Sequence, residues 1–208
     1  MFIFVFINMI INNYNSIIKK TRIFVKKYMD NLDDISHDYN HINLVVKLAL
    51  KIAKQEGIMN KNDLFYIKMG ALLHDVGDSK YSQEEQKDVI NKFLKKLKGL
   101  NKHHRNEIIK ISSNISLSKD NDEKYDKTKL NIYIVQDADR INSLGSIGIM
   151  RYITYNMYKK QSFNDIISNM KRRTLKIKRF IRTSSGKKIA KKQMQLIMTF
   201  INNYYKGF

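Results

Sequence analysis

Cysteine and proline are both missing from this 208-residue chain, and only eight glycines punctuate it. The lack of cysteine removes disulfides, thiolate catalysis and cysteine-ligated zinc together. Any metal here must be held by histidine and carboxylate, a donor set that suits Mn, Mg, Fe or Zn in a catalytic site. The lack of proline and the scarcity of glycine leave little to interrupt long periodic segments, so the chain reads as all-α. A hydrophobic content of 43% supports a real core, and this length predicts one domain.

Acidic residues are also scarce, 19 against 39 Lys and Arg, giving a formal charge of +20. From Lys159 to the end there are 14 Lys or Arg and a single acid, Asp165. Two readings stand side by side: a basic C-terminal half that holds nucleic acid or nucleotide phosphates, or a compositional bias toward Lys, Asn and Ile that runs through the whole chain. Under either, the charge speeds the arrival of a phosphate substrate.

Residues 1–18 carry no charge, and they read as an apolar lead-in before a domain spanning 19–208. No basic n-region or small-residue cleavage site marks a signal peptide. The stretch is too short and too rich in Asn for a membrane span. No membrane partner and a cytoplasmic location are therefore expected.

Punctuation and period predict six or seven helices. One runs over Ile17–Met29. Asp38 caps a second that extends to Glu56, with Ile42, Val45, Val46, Ala49, Ile52 and Ala53 at i, i+3, i+4, i+7 spacing. Asn62 opens a third that reaches His74-Asp75. Ser82-Gln83-Glu84-Glu85 reads as a capping box for a fourth running to Gly99, and a fifth covers His103–Ile115. Lys119–Thr128 reads as an exposed loop. A helix from Leu130 to Arg140, one starting at Gly145/Gly148, and at least two over Ile166–Tyr205 split near Thr183-Gly186 complete the reading.

The chemistry concentrates at His74-Asp75. An apolar run, Ala71-Leu72-Leu73, delivers an imidazole and a carboxylate side by side, followed by Gly77 and a second acid, Asp78. Adjacent helical residues point about 100° apart, so the pair converges only on an external point such as a cation. A buried carboxylate needs such a partner. His41, four residues after His37 and three after Asp38, and Asp137, after Ile132-Tyr133-Ile134-Val135, are further candidate ligands. Taken alone, His41 reads equally as a cap-region histidine and Asp137 as a helix-end acid. Together, two imidazoles and two carboxylates make a four-donor set with positions left for water and substrate. His103-His104 reads as an exposed polar turn.

The order His … His-Asp … Asp resembles the HD-domain superfamily of metal-dependent phosphohydrolases. The resemblance extends to the branch of small bacterial nucleoside-triphosphate pyrophosphohydrolases. Their His-Asp-x-x-His-Ile segment is matched by residues 37–42, and their Leu-Leu-His-Asp-(Val/Ile)-Gly-Asp-x-Lys-Tyr by Leu72 through Tyr81. A third motif is matched by Gln136 to Ile149, QDADRINSLGSIGI, and a C-terminal pattern by Thr183, Gly186 and Ala190. Two positions depart from it: Leu44 stands where the family has Arg, and Asn142 where it has Asp.

The resemblance implies a single HD-domain helical bundle with an added C-terminal helical segment. It implies one divalent cation, with Mn first and Mg, Co, Fe or Zn as alternatives, held by His41, His74, Asp75 and Asp137. It implies a metal-activated water attacking phosphorus, with Asp78, one turn beyond Asp75, orienting or deprotonating that water. Lys80 and Arg140 are the expected phosphate contacts. The implied reaction converts a nucleoside or deoxynucleoside triphosphate to monophosphate and pyrophosphate. A 5′-nucleotidase acting on monophosphates is the enzymatic alternative. A catalytically weakened HD domain that binds nucleic acid or nucleotide is the non-enzymatic one, favoured by Leu44, Asn142 and the charge run.

Overall fold

A computed structural model gives the architecture, and the residues it describes are 2–32, 38–79, 82–117 and 124–207, with side chains from residue 13 onward in the first helix. Nine α-helices are found among them, and no strand. They are α1 (Phe2–Asp30), α2 (Tyr39–Gln55), α3 (Lys61–Leu73), α4 (Gln86–Lys95), α5 (Lys102–Ser112), α6 (Leu130–Asn142), α7 (Gly145–Tyr158), α8 (Phe163–Phe180) and α9 (Ser184–Lys206), with a 3-10 turn at Lys127–Lys129 before α6. The all-α expectation holds. No helix of the described residues is long and apolar enough to cross a membrane.

The layout centres on α2, α3 and α6. The stripe read on α2 is the face that packs: Ile42, Val45, Val46, Ala49, Ile52 and Ala53 are all buried. It meets α3 and α6, while α3 also packs on α5, and α7, α8 and α9 gather beyond α6. The ends of α2 and α3 and the middle of α6 thereby meet in one place.

Several boundaries differ from the sequence reading. α1 begins at Phe2 rather than Ile17, and Tyr14 and Ile17 are part of the core, so the helix runs straight through residue 18. Ser82 does not cap a helix. Its hydroxyl takes the amide of Glu84 at 3.1 Å, closing a local turn, and α4 starts only at Gln86. His104 is not an exposed turn residue. It sits in the first turn of α5, with Nε2 3.3 Å from the Tyr14 hydroxyl and Nδ1 3.4 Å from that of Tyr66. Residues 118–123 of the expected loop and His37 lie outside the described residues.

Candidate metal centre

Asp38 sets the first donor. As N-cap of α2 it accepts the backbone amide of His41 at 2.9 Å, which fixes the opening turn and buries the His41 ring. α3 supplies the next two, because it ends at Leu73 and His74-Asp75 form the turn beyond it. Gly77, with φ +72°, lets the chain reverse there. Two other helices pin that turn: Gln86 Nε2 donates to the His74 carbonyl at 2.6 Å, and the Gly77 amide donates to the Tyr28 hydroxyl at 3.1 Å.

The result brings His41, His74 and Asp75 together, with one potential ligand atom from each lying within 4.8 Å of the others. His41 Nε2 is 3.6 Å from Asp75 Oδ2, and His74 Nε2 is 3.3 Å from Asp75 Oδ1. A fourth donor comes from α6, and it is Asp139. Its Oδ1 lies 3.4 Å from His41 Nε2 and 3.6 Å from His74 Nε2.

Asp137, the residue expected there, does something else. It is fully buried, and its Oδ1 accepts the Arg182 amide at 2.9 Å while Oδ2 accepts both the amide and the hydroxyl of Thr183 at 2.7 Å. Thr183 is the N-cap of α9, so Asp137 anchors that helix from below. Positions 137 and 139 are about 200° apart on a helix, and only one can face the histidines. Gly186 makes room for the anchor, since a Cβ there would stand 2.3 Å from Asp137 Oδ2. The C-terminal Thr and Gly of the sequence motif are thus explained by packing. Burial pushes the Asp137 carboxyl up to about 6, against the opposing pull of the Thr183 and Arg182 donors and of Arg140.

Arg140 is also corrected. It is buried, donating to the Phe180 carbonyl at 2.5 Å, and so braces the α8–α9 junction rather than meeting solvent phosphate. Asp78 is half-buried in the turn after Gly77, its carbonyl accepting the Ser82 amide at 3.0 Å. Lys80 lies outside the described residues.

The donor set fits a cation. His74 Nδ1 faces the Ala71 carbonyl at 2.9 Å, so that nitrogen carries the ring proton and Nε2 can present a lone pair to the centre. His74 Nε2 and Asp75 Oδ2 are buried without a hydrogen-bond partner among the described residues, a costly arrangement unless something positive joins them. Burial alone would push His74 down, but the charges of Asp75 and Asp139 outweigh it and raise the imidazole to about 9. Burial raises Asp139 in turn, yet its contacts with the two histidines hold it well below the usual carboxylate range. The imidazole side is closed, with 2% of each histidine side chain exposed, whereas Asp75 at 14% and Asp139 at 28% face the opening.

Two residues missed in the sequence complete the surroundings. Asn142 Oδ1 lies 2.7 Å from His41 Nδ1, and Arg151 Nη1 lies 2.8 Å from the same nitrogen and 3.2 Å from Asn142 Oδ1. With the ring proton on Nδ1, Asn142 accepts it and Nε2 is free to bind a cation. Asn142 lies one turn beyond Asp139, and that i, i+3 relationship was available in the sequence as a pointer to the correct acid.

The HD domain family matches over residues 38–144, slightly more than half of the chain, and spans all four donors. The chain belongs to the HD domain family, the superfamily of metal-dependent phosphohydrolases its motifs resemble. Among individual proteins, it is 23% identical to Bacillus subtilis YpgQ over 175 residues, covering 82% of this chain and 83% of that protein. It is 29% identical to protein L803 of Acanthamoeba polyphaga mimivirus over 155 residues, 69% of this chain but only 63% of the length of L803. The crystal structure of YpgQ in complex with ADP shares the fold, with a TM-score of 0.74, 22% identity and coverage of 92% of this chain and 97% of that one. An HD-superfamily hydrolase from Bacillus thuringiensis superposes with a TM-score of 0.74 at 29% identity, covering 93% and 97%.

Proposed function

We propose that this protein hydrolyses nucleoside or deoxynucleoside triphosphates to the monophosphate and pyrophosphate, using one divalent cation held by His41, His74, Asp75 and Asp139. The observation that carries the reading is the pair of buried, unpartnered atoms, His74 Nε2 and Asp75 Oδ2, at the focus of two imidazoles and two carboxylates. A bound cation would supply Lewis acidity and a water acidified toward neutrality. Manganese is the first choice, and the donor set also accommodates Mg, Co, Fe and Zn. A nucleotide as ligand is supported by the structural likeness to YpgQ, which was crystallised with ADP.

The chain's own residues do the remaining work. His74 is locked in one tautomer by Ala71, and His41 is held from behind by Asn142. Asp78, in the turn after Asp75, is assigned to orient the attacking water or take its proton. Water adds to the α-phosphorus, the bond from that phosphorus to the bridging oxygen breaks, and pyrophosphate leaves with that oxygen. Lys80 keeps its assignment as a phosphate contact.

The test is a phosphate- and pyrophosphate-release screen over NTPs, dNTPs and monophosphates with Mn, Mg, Co and Zn, beside a His74→Ala/Asp75→Ala control. Metal-dependent pyrophosphate release that vanishes in the control is the expected result. Free phosphate from monophosphates would instead make the protein a 5′-nucleotidase. Silence throughout, together with salt-sensitive binding to DNA, would make it a binding protein.

A further inference from the structure

α7 and α8 carry arginines that the donor set does not explain. Arg151 is half-buried on α7 at the edge of the centre, with its Nη1 against His41 Nδ1 and Asn142 Oδ1. It senses the carboxylates of Asp139, Asp75 and Asp38 and the guanidinium of Arg173. Arg173, exposed on α8, lies with its Cζ 5.7 Å from the ring centre of Tyr152, the residue after Arg151. Arg172 is exposed beside it, and its charge also reaches Tyr152. Positive charge therefore leads outward from His41 through Arg151 to Arg173.

Charge balance separates a structural from a ligand-binding role. With a divalent cation in place, Asp75 and Asp139 cancel its charge, and the neutral imidazoles add none. Asp38, the remaining nearby acid, is engaged by the amide of His41 at the positive end of α2. Two like-charged guanidiniums drawn toward a bound cation repel one another and the cation, and burial penalises Arg151 further. An anion between them removes that penalty. Arginine suits this because its planar fork takes two phosphate oxygens at once.

We propose that Arg151 and Arg173 form the subsite for the phosphates beyond the one at the metal, with Arg151 bridging the reacting phosphate and its neighbour and Arg173 holding the distal group. The assignment rests on the proposed triphosphate hydrolysis, and it adds the residues that distinguish a polyphosphate chain from a single phosphate. The exposed arginine is specific to the longer ligand, and the half-buried one serves both.

The experiment is calorimetric titration of the manganese-loaded protein with inorganic pyrophosphate and, separately, with inorganic phosphate. Arg173→Gln, at an exposed position, should weaken pyrophosphate binding roughly tenfold while leaving phosphate within about twofold. Manganese affinity should stay unchanged. Arg151→Gln should weaken both anions, and Arg151→Lys should restore part of the phosphate affinity. If Arg151→Gln does not fold, the Arg173 pair of measurements carries the test. Unchanged pyrophosphate binding in Arg173→Gln would overturn the assignment, as would equal weakening of both anions. Pyrophosphate binding that depends on Arg173, in a protein that turns over no triphosphate, would keep the subsite and remove the proposed reaction. Turnover with an unchanged KM in Arg173→Gln would do the reverse.

Discussion

Thr183 donates to Asp137 twice, through its amide and its hydroxyl, and both bonds end on Oδ2 at 2.7 Å. The start of α9 is therefore tied to the middle of α6 by a fully buried carboxylate, only two residues before the acid that faces the metal donors. Neighbouring acids in Asp137-Ala138-Asp139 have opposite duties.

That division predicts opposite mutants. Asp137→Asn turns an amide NH2 toward N–H or O–H donors and should cost about 2–3 kcal/mol of stability, the scale of losing a hydrogen bond to a charged group. The folded fraction should still bind one cation. Asp139→Asn should hold its melting temperature within a few degrees and lose cation affinity by about a hundredfold or more, beyond the range of second-shell changes. Thermal melts paired with manganese titrations read both, and normal cation affinity in Asp139→Asn would remove Asp139 from the donor set.

Gly186 gives an independent check on the anchor. A methyl group there would meet Asp137 Oδ2 at 2.3 Å and Thr183 Oγ1 at 2.6 Å. Gly186 is helical, so alanine would ordinarily stabilise it. Here Gly186→Ala should destabilise by about 1–3 kcal/mol through overpacking, seen as a lower urea midpoint. A rise in the midpoint would show that the α9 end yields easily and that the anchor is loose.

The parts of this site legible in the sequence are those a local motif encodes. His74-Asp75 at the end of an apolar run, and His41 three residues after its cap Asp38, could be read because one turn of helix fixes each. The choice between Asp137 and Asp139 depended on which face of α6 meets α2, and that is decided by packing between distant segments. Asp137 lies i+3 from Ile134 and i, i+4 with Ile141, inside the apolar stripe, whereas Asp139 shares its face with Asn142. Arg151 lay two residues past the last recognised motif. The start of α1 carried no cap signal, and His104 is explained only by Tyr14 and Tyr66, which arrive from α1 and α3.

Metal binding should be coupled to pH through His74. Without a cation, its imidazole is raised to about 9, above the 6.5 of an unperturbed histidine. A raised pKa means the charged ring stabilises the metal-free fold fully below about pH 6.5 and loses that contribution as pH climbs through 9. Cation affinity runs the other way, because Nε2 must shed its proton to coordinate. Affinity should rise about tenfold per pH unit between 7 and 8.5 and level off above 9. Calorimetry in two buffers of different ionisation enthalpy would count the released proton. An affinity flat from pH 7 to 8.5 would mean that His74 is already neutral before the metal arrives.

Asn142→Asp restores the carboxylate found at this position in the family and separates two roles that converge on one side chain. Asn142 Oδ1 lies 2.7 Å from His41 Nδ1 and 3.2 Å from Arg151 Nη1. A carboxylate accepting from Nδ1–H makes Nε2 a better donor, so manganese should bind about tenfold tighter, within the span of second-shell effects. The same charge would pair with Arg151 and draw its guanidinium away from an incoming phosphate. Pyrophosphate should then bind more weakly while the cation binds more tightly. A general loosening of the site would weaken both constants, and an effect confined to His41 would leave pyrophosphate unchanged. Movement in opposite directions requires that Asn142 touch both the ligand histidine and the anion-binding arginine, as the geometry places it.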